Sequence, residues 1–85
     1  MATKQRLSKA TRDSRAYSQE LRRFGLNVRR QRHVSKLTIE QAAEKTQMDP
    51  THLAKIEAGT VNVSFVTLVR ISKGLGIPLV ALFEF

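Results

Sequence analysis

Apolar residues recur along this chain at helical intervals, and the polar residues between them are of the kinds that start and stop helices. Tyr17, Leu21, Phe24 and Val28 are spaced by four, three and four positions, which draws one stripe down a helix and turns it toward a core. Leu7, Ala10 and Ser14 carry the same stripe backward, so this helix has an extension into the N-terminal segment available to it. A second stripe runs through Ile39, Ala42, Ala43 and Thr46 at i, i+3, i+4 and i+7, and its mostly small side chains let a neighbouring helix come close. Ahead of it Thr38 is placed as a cap, and Gln41 three residues later completes a T-x-x-Q capping box that satisfies otherwise unpaired amides. Asp49-Pro50 then supplies an N-cap and a first-turn proline, Leu53 and Ile56 point inward, and Gly59 offers a C-cap. Gly76 reads as a further turn and capping residue.

Two short capped helices joined by a tight turn, over Leu37 to Gly59, have the layout of a helix-turn-helix DNA reader. The segment from Phe24 to Phe83 resembles more specifically the phage-repressor/Cro type, or xenobiotic-response-element type, of that domain. The matching pieces are VRRQR at Val28 to Arg32, LTIEQAAEKT at Leu37 to Thr46, LAKIEAGTVN at Leu53 to Asn62, LVRISKGLGIP at Leu68 to Pro78 and LFE at Leu82 to Glu84. Each piece alone is weak, and the set together is specific. The resemblance implies an all-α fold, a compact five-helix bundle with helices near 18–34, 38–46, 50–58, 64–74 and 78–84, the one near 50–58 being the recognition helix. Residues 1–17 are expected to form a basic N-terminal arm or an extension of the first helix, and residues 18–85 the DNA-binding domain.

Three positions depart from the family pattern. Ile39 stands where a glutamine touching DNA is usual, Gln47 where a glycine usually opens the turn, and Ala54 where a serine is common. A non-glycine residue in a left-handed turn is uncommon and mildly strained, so Gln47 predicts either an altered turn or a loss of stability on the order of 1 kcal/mol. Ile39 has no side-chain donor, but its backbone amide at a helix N-terminus is able to meet a phosphate.

Charge changes the picture by its placement. The formal net charge is +8, from 15 Lys and Arg against 7 Asp and Glu, and the pI is about 10.9, which suits a nucleic-acid-binding domain. Residues 1–32 hold ten basic side chains against two acidic ones, whereas residues 33–85 hold five against five. All net positive charge therefore precedes the reading head. Such an arm and first helix add salt-sensitive phosphate affinity without sequence information; the other reading of the first dozen residues is a solvated tail.

An 85-residue chain suits one domain with a modest core, and no composition break marks a second. The absence of cysteine removes disulfide frameworks and thiol metal sites, as in a reducing cytoplasm. No apolar run approaches the ~20 residues that span a bilayer, and the basic N-terminus lacks the apolar region of a signal peptide, so a cytoplasmic, nucleoid-associated protein is expected. The histidines are His33 and His52, with no glycine-rich phosphate loop and no spaced ligand cluster. The usual catalytic constellations have nothing to be built from: no enzyme, metal, cofactor or small-molecule ligand is expected.

Base contacts are expected from the exposed early face of the helix near 50–58, where Pro50, Thr51, His52 and Lys55 lie. Lys55 has the reach for guanine O6 and N7, Thr51 for a hydrogen bond or a thymine methyl, and Pro50 for apolar contact only; His52 has packing beside the turn as its alternative. Phosphate contacts are expected from Thr38, the Ile39 amide, Thr60, Asn62 and, on the arm, Lys4 and Arg6. The family resemblance pairs Glu57 with Arg32, locking the first helix against the reader. Similar domains alternate buried leucines with acids after the Pro78 turn, whereas here Val80 and Ala81 take the usually polar places and Phe85 follows. An exposed patch of Val80, Ala81 and Phe85 implies self-association; if these residues instead cover the base of the first helix, the chain is a monomer. The expected protein is a sequence-specific transcriptional regulator, repressor or activator, acting on double-stranded DNA as a homodimer at a two-fold-related operator. In size it stands near phage repressors and restriction-modification controller proteins. The alternative is an antitoxin or bridging factor that mainly holds a protein partner.

Overall fold

The chain folds into α1 (Lys9–Ala16), α2 (Ser18–Val34), α3 (Ile39–Thr46), α4 (Pro50–Ala58), α5 (Phe65–Leu75) and a 3-10 helix, Leu79–Phe83. The structure is a computed structural model and describes residues 9–85. Among these residues all regular structure is helical, the all-α architecture expected from the sequence. The expected last helix is a 3-10 turn rather than an α-helix, and α1 stands as a separate helix ahead of α2. The two are divided at Tyr17, whose φ of −116° and ψ of 32° leave the helical region. Tyr17 is 60 % exposed, so the core stripe of α2 runs through Phe24 and Val28 and does not include it. Leu7, the backward continuation of that stripe, lies outside the described residues.

Side-chain caps fix where the later helices begin. The Gln41 amide donates to Thr38 Oγ1 at 3.1 Å while the Thr38 amide donates to Gln41 Oε1 at 2.9 Å, the reciprocal capping box at the start of α3. Asp49 accepts the Thr51 amide at 2.7 Å ahead of Pro50, and Ser64 accepts the Thr67 amide at 3.2 Å at the start of α5. Each later residue of these helices is then added with its own hydrogen bond, the inexpensive part of helix growth.

The helices also stop alike. α2, α3, α4 and α5 each end with a residue in the left-handed region, respectively Lys36, Gln47, Gly59 and Gly76. The residue after each donates six-to-one across the turn: Leu37 to Arg32, Met48 to Ala43, Thr60 to Lys55 and Ile77 to Ser72, at 2.8–3.2 Å. This is the Schellman arrangement, in which an apolar residue just past the turn folds back onto the helix. Leu37, Met48 and Ile77 do pack against the core, which supplies the stabilisation that holds Lys36 and Gln47 at φ values near 59° and 58°. Gln47 therefore adopts the glycine-like turn unaltered.

The core is shared by all the later elements: Phe24 and Val28 of α2, Ala42 and Ala43 of α3, Leu53 and Ile56 of α4, Ile71 and Leu75 of α5, and Leu82. α2 lies directly on α4 because Gly25 has no side chain: a Cβ there would overlap the carbonyl oxygens of Ile56 and Glu57. Close-packed interiors do not absorb such an overlap without moving backbone.

Candidate nucleic-acid interface

α4 is divided cleanly by burial. Leu53, Ile56 and Glu57 face inward, while Pro50, Thr51, His52, Ala54 and Lys55 are exposed. Lys55 stands three positions from His52 and four from Thr51, so it neighbours both on the helix surface, and Pro50 occupies the first turn beside them. The four base-reading candidates are thus brought together at the solvent side of a helix whose other side is fixed in the core. His52 is exposed rather than packed beside the turn.

The phosphate candidates precede and follow α4 in the chain, with their side chains partly engaged. Thr38 Oγ1 accepts the Gln41 amide within the capping box, so Ile39 at the first position of α3 presents its amide there. Beyond α4 the Thr60 hydroxyl donates to the Lys55 carbonyl at 3.2 Å, and Asn62 Oδ1 accepts from Ser14 Oγ at 3.0 Å. Lys4 and Arg6 lie outside the described residues.

Glu57 and Arg32 meet as a two-pronged pair. Arg32 Nε donates to Glu57 Oε2 at 2.7 Å and Arg32 Nη2 to Oε1 at 3.0 Å, with the carboxylate side chain 2 % exposed. Arg32 Nη1 also donates to the Leu37 carbonyl at 3.0 Å, beside the turn that leads into α3. One guanidinium therefore ties α2, the α2–α3 turn and α4 together. Hydrogen bonding to Glu57 raises the Arg32 pKa above its ordinary value against the opposing effect of burial. A raised folded-state value means that the linked stability is fully present below the ordinary arginine range and is lost only as pH climbs beyond it. The pair therefore holds throughout the neutral range.

Two participants escaped the sequence reading. Arg29 Nε approaches Glu57 Oε1 at 3.4 Å from a half-exposed position. Asn27 is buried and donates from Nδ2 to the carbonyls of Ala81 and Leu82, both at 2.9 Å, while its Oδ1 accepts from Arg30. Its position between Phe24 and Val28 on the apolar face of α2 was the available signal: a polar residue there must find buried partners.

Asn27 also determines how the apolar C-terminal residues lie. Ala81 is turned into its own chain at 8 % exposure, so it is not part of the expected exposed patch; the hydrogen bonds from Asn27 hold its backbone inward. Val80 remains 63 % exposed, and Phe83 and Phe85 are half-exposed. Phe85 lies edge-on to Phe24 at 6.4 Å with the Arg23 guanidinium 5.4 Å from its ring, so it also covers α2. An apolar groove of about 370 Å³ opens beside them, bounded by Tyr17, Leu21, Phe24, Leu68, Phe83 and Phe85. Among the described residues no group of acids and histidines is arranged to hold a metal, and no helix is long and apolar enough to cross a membrane.

Residues 28–82, the span that includes α3, the turn and α4, match the helix-turn-helix family. The chain belongs to that family. The control protein C.MunI from a Mycoplasma species is 42 % identical over 63 residues, covering 73 % of this chain and 85 % of that protein. The crystal structure of the restriction-modification controller protein C.AhdI from Aeromonas hydrophila superposes with a TM-score of 0.74 at 30 % identity, over 75 % of this chain and 97 % of that one. These relatives are regulatory proteins rather than enzymes, and the chain is a DNA-binding transcription regulator.

Proposed function

We propose that this helix-turn-helix protein reads a specific, two-fold-related operator as a homodimer and that, like C.AhdI, it is a restriction-modification controller. The observation that carries the reading is the exposed face of α4, where Thr51, His52 and Lys55 project together from a helix anchored by Leu53, Ile56 and Glu57. Hydrogen-bonding side chains on a fixed helix suit direct readout of major-groove edges. In this reading the Ile39 amide, ahead of α4 in the chain, and Thr60 and Asn62, beyond it, position the helix on phosphates. Exposed Val80, with Phe83 and Phe85, supports the dimer, since apolar side chains clustered at one end of a small domain favour a second copy as cover. Selection from random double-stranded DNA tests the reading: an inverted repeat with half-sites about 34 Å apart is expected. Enrichment of no common sequence would overturn it.

A further inference from the structure

α1 lies outside what the family shares, ending at Ala16 while the family match begins at Val28. It is nevertheless held at a defined place. Ser14 Oγ donates to Asn62 Oδ1 at 3.0 Å, joining positions 48 residues apart. Further along, the α2 backbone at Arg22 lies against Gly59, the C-cap of α4; a Cβ at Gly59 would fall 2.5 Å from the Arg22 Cα. These two contacts run α1 and the start of α2 alongside the α4–α5 loop, the segment that carries Thr60 and Asn62. Arg12 and Arg15 are exposed and three positions apart, hence neighbours on one side of α1.

We propose that α1 is a second DNA-contacting element: docked on the α4–α5 loop through Ser14 and Asn62, it lays Arg12 and Arg15 on the sugar-phosphate backbone flanking each half-site. The proposal rests on the reading of α4 as the recognition helix. A docked helix differs from a charged tail in its consequences. A tail raises affinity wherever phosphates are near, whereas a helix held beside the loop meets the same flanking phosphates in every complex. Each phosphate neutralised by a cation releases counterion and steepens the salt dependence of binding by ~0.9 in log–log slope. Arg12 and Arg15 together therefore contribute about 1.8 per protomer.

Hydroxyl-radical footprinting and salt titration on a DNA fragment selected by the wild type test this, with circular dichroism confirming that the surface variants are folded. The wild type is expected to protect sugars outside the half-site. The double variant Arg12→Ala/Arg15→Ala is expected to lose that protection and flatten the salt slope by about 1.8 per protomer, with its base preference unchanged. Ser14→Ala keeps both charges and is expected to lose the flanking protection while changing the slope by less than one. Equal footprints and slopes for wild type and double variant would overturn the proposal while leaving the α4 reading intact. Flanking protection that survives Ser14→Ala would overturn the docking. A wild type that selects no sequence would overturn the α4 reading and this proposal together.

Discussion

Residues 1–32 carry the whole net charge of this protein, and residues 33–85 carry none, yet it is the neutral part that holds α4, the helix proposed to read DNA. In that proposal affinity and information belong to different stretches of chain. A charged reader binds every sequence more tightly, which raises the background against which a specific site must be found. A neutral reader leaves discrimination to hydrogen bonds and shape, while the cations beside it supply attraction that is the same for all sequences. The two stretches meet at Arg32, the last cation of the first, whose guanidinium is held in the second by Glu57.

The largest effect is expected where neither stretch acts through charge. Replacing Val80 and Phe85 with aspartate places unpaired charge in the apolar face proposed as the subunit contact, which is tolerated only if the interface opens. A folded monomer is expected by sedimentation, with affinity for a full two-fold site lowered by about 100- to 10,000-fold through lost bivalency. Val80→Asp alone separates this from packing, because Val80 is exposed whereas Phe85 also covers Phe24. A wild type that is already monomeric at micromolar concentration, or a double variant that still dimerises, would place the contact elsewhere.

Cutting the joint comes next. Arg32→Ala leaves the Glu57 carboxylate buried with only the looser Arg29 in reach, at a cost of about 3 kcal/mol, the low end for a broken buried pair. Glu57→Ala should cost about 2 kcal/mol, since a released arginine can turn toward water. The double variant should lose less than the two losses added, because one interaction is counted in both. Denaturant melts of the three proteins decide this; strict additivity would show that the residues act separately.

Within the proposed reader, Thr51→Ala and Lys55→Ala should each weaken the specific site by ~1–3 kcal/mol and relax base preference at one position. If both variants keep the wild-type site preference, the information lies outside α4, and the separation of the two stretches fails.

What the sequence disclosed, and what it withheld, follows the range of the interactions involved. The starts of α3 and α4 were readable because their caps join residues two or three positions apart: Thr38 with Gln41, and Asp49 with Thr51. The pairing of Arg32 with Glu57, 25 positions apart, was reached only through family resemblance. Asn27 was missed because its partners, the carbonyls of Ala81 and Leu82, lie 54 and 55 positions away. The inward turn of Ala81, contained in the alternative that the C-terminal residues cover the first helix, was left undecided for the same reason. Lys36 carries no local sign of a left-handed turn; the conformation follows from Leu37 folding back on the core. For Pro50, Thr51, His52 and Lys55, the alternation of inward and outward positions along α4 was sufficient to predict their exposure.

The smallest expected effect concerns the turn between α3 and α4. Gln47 holds φ 58° and ψ 45°, a conformation that costs a residue with a Cβ about 1–2 kcal/mol and a glycine almost nothing. Glycine gives back part of that gain, because its freer unfolded chain loses more entropy on folding, by roughly 0.5–1 kcal/mol. Gln47→Gly should therefore stabilise the protein by about 0.5–1 kcal/mol, the difference between the two effects. Gln47 is exposed and uncharged, and neither the cations of the first stretch nor the reading face of α4 is altered. Thermal melts should show the gain, while the salt slope and base preference of DNA binding stay at their wild-type values. A change in the salt slope would mean that the turn governs how α4 and the basic stretch are placed together on DNA, and the two would then not be separable contributions.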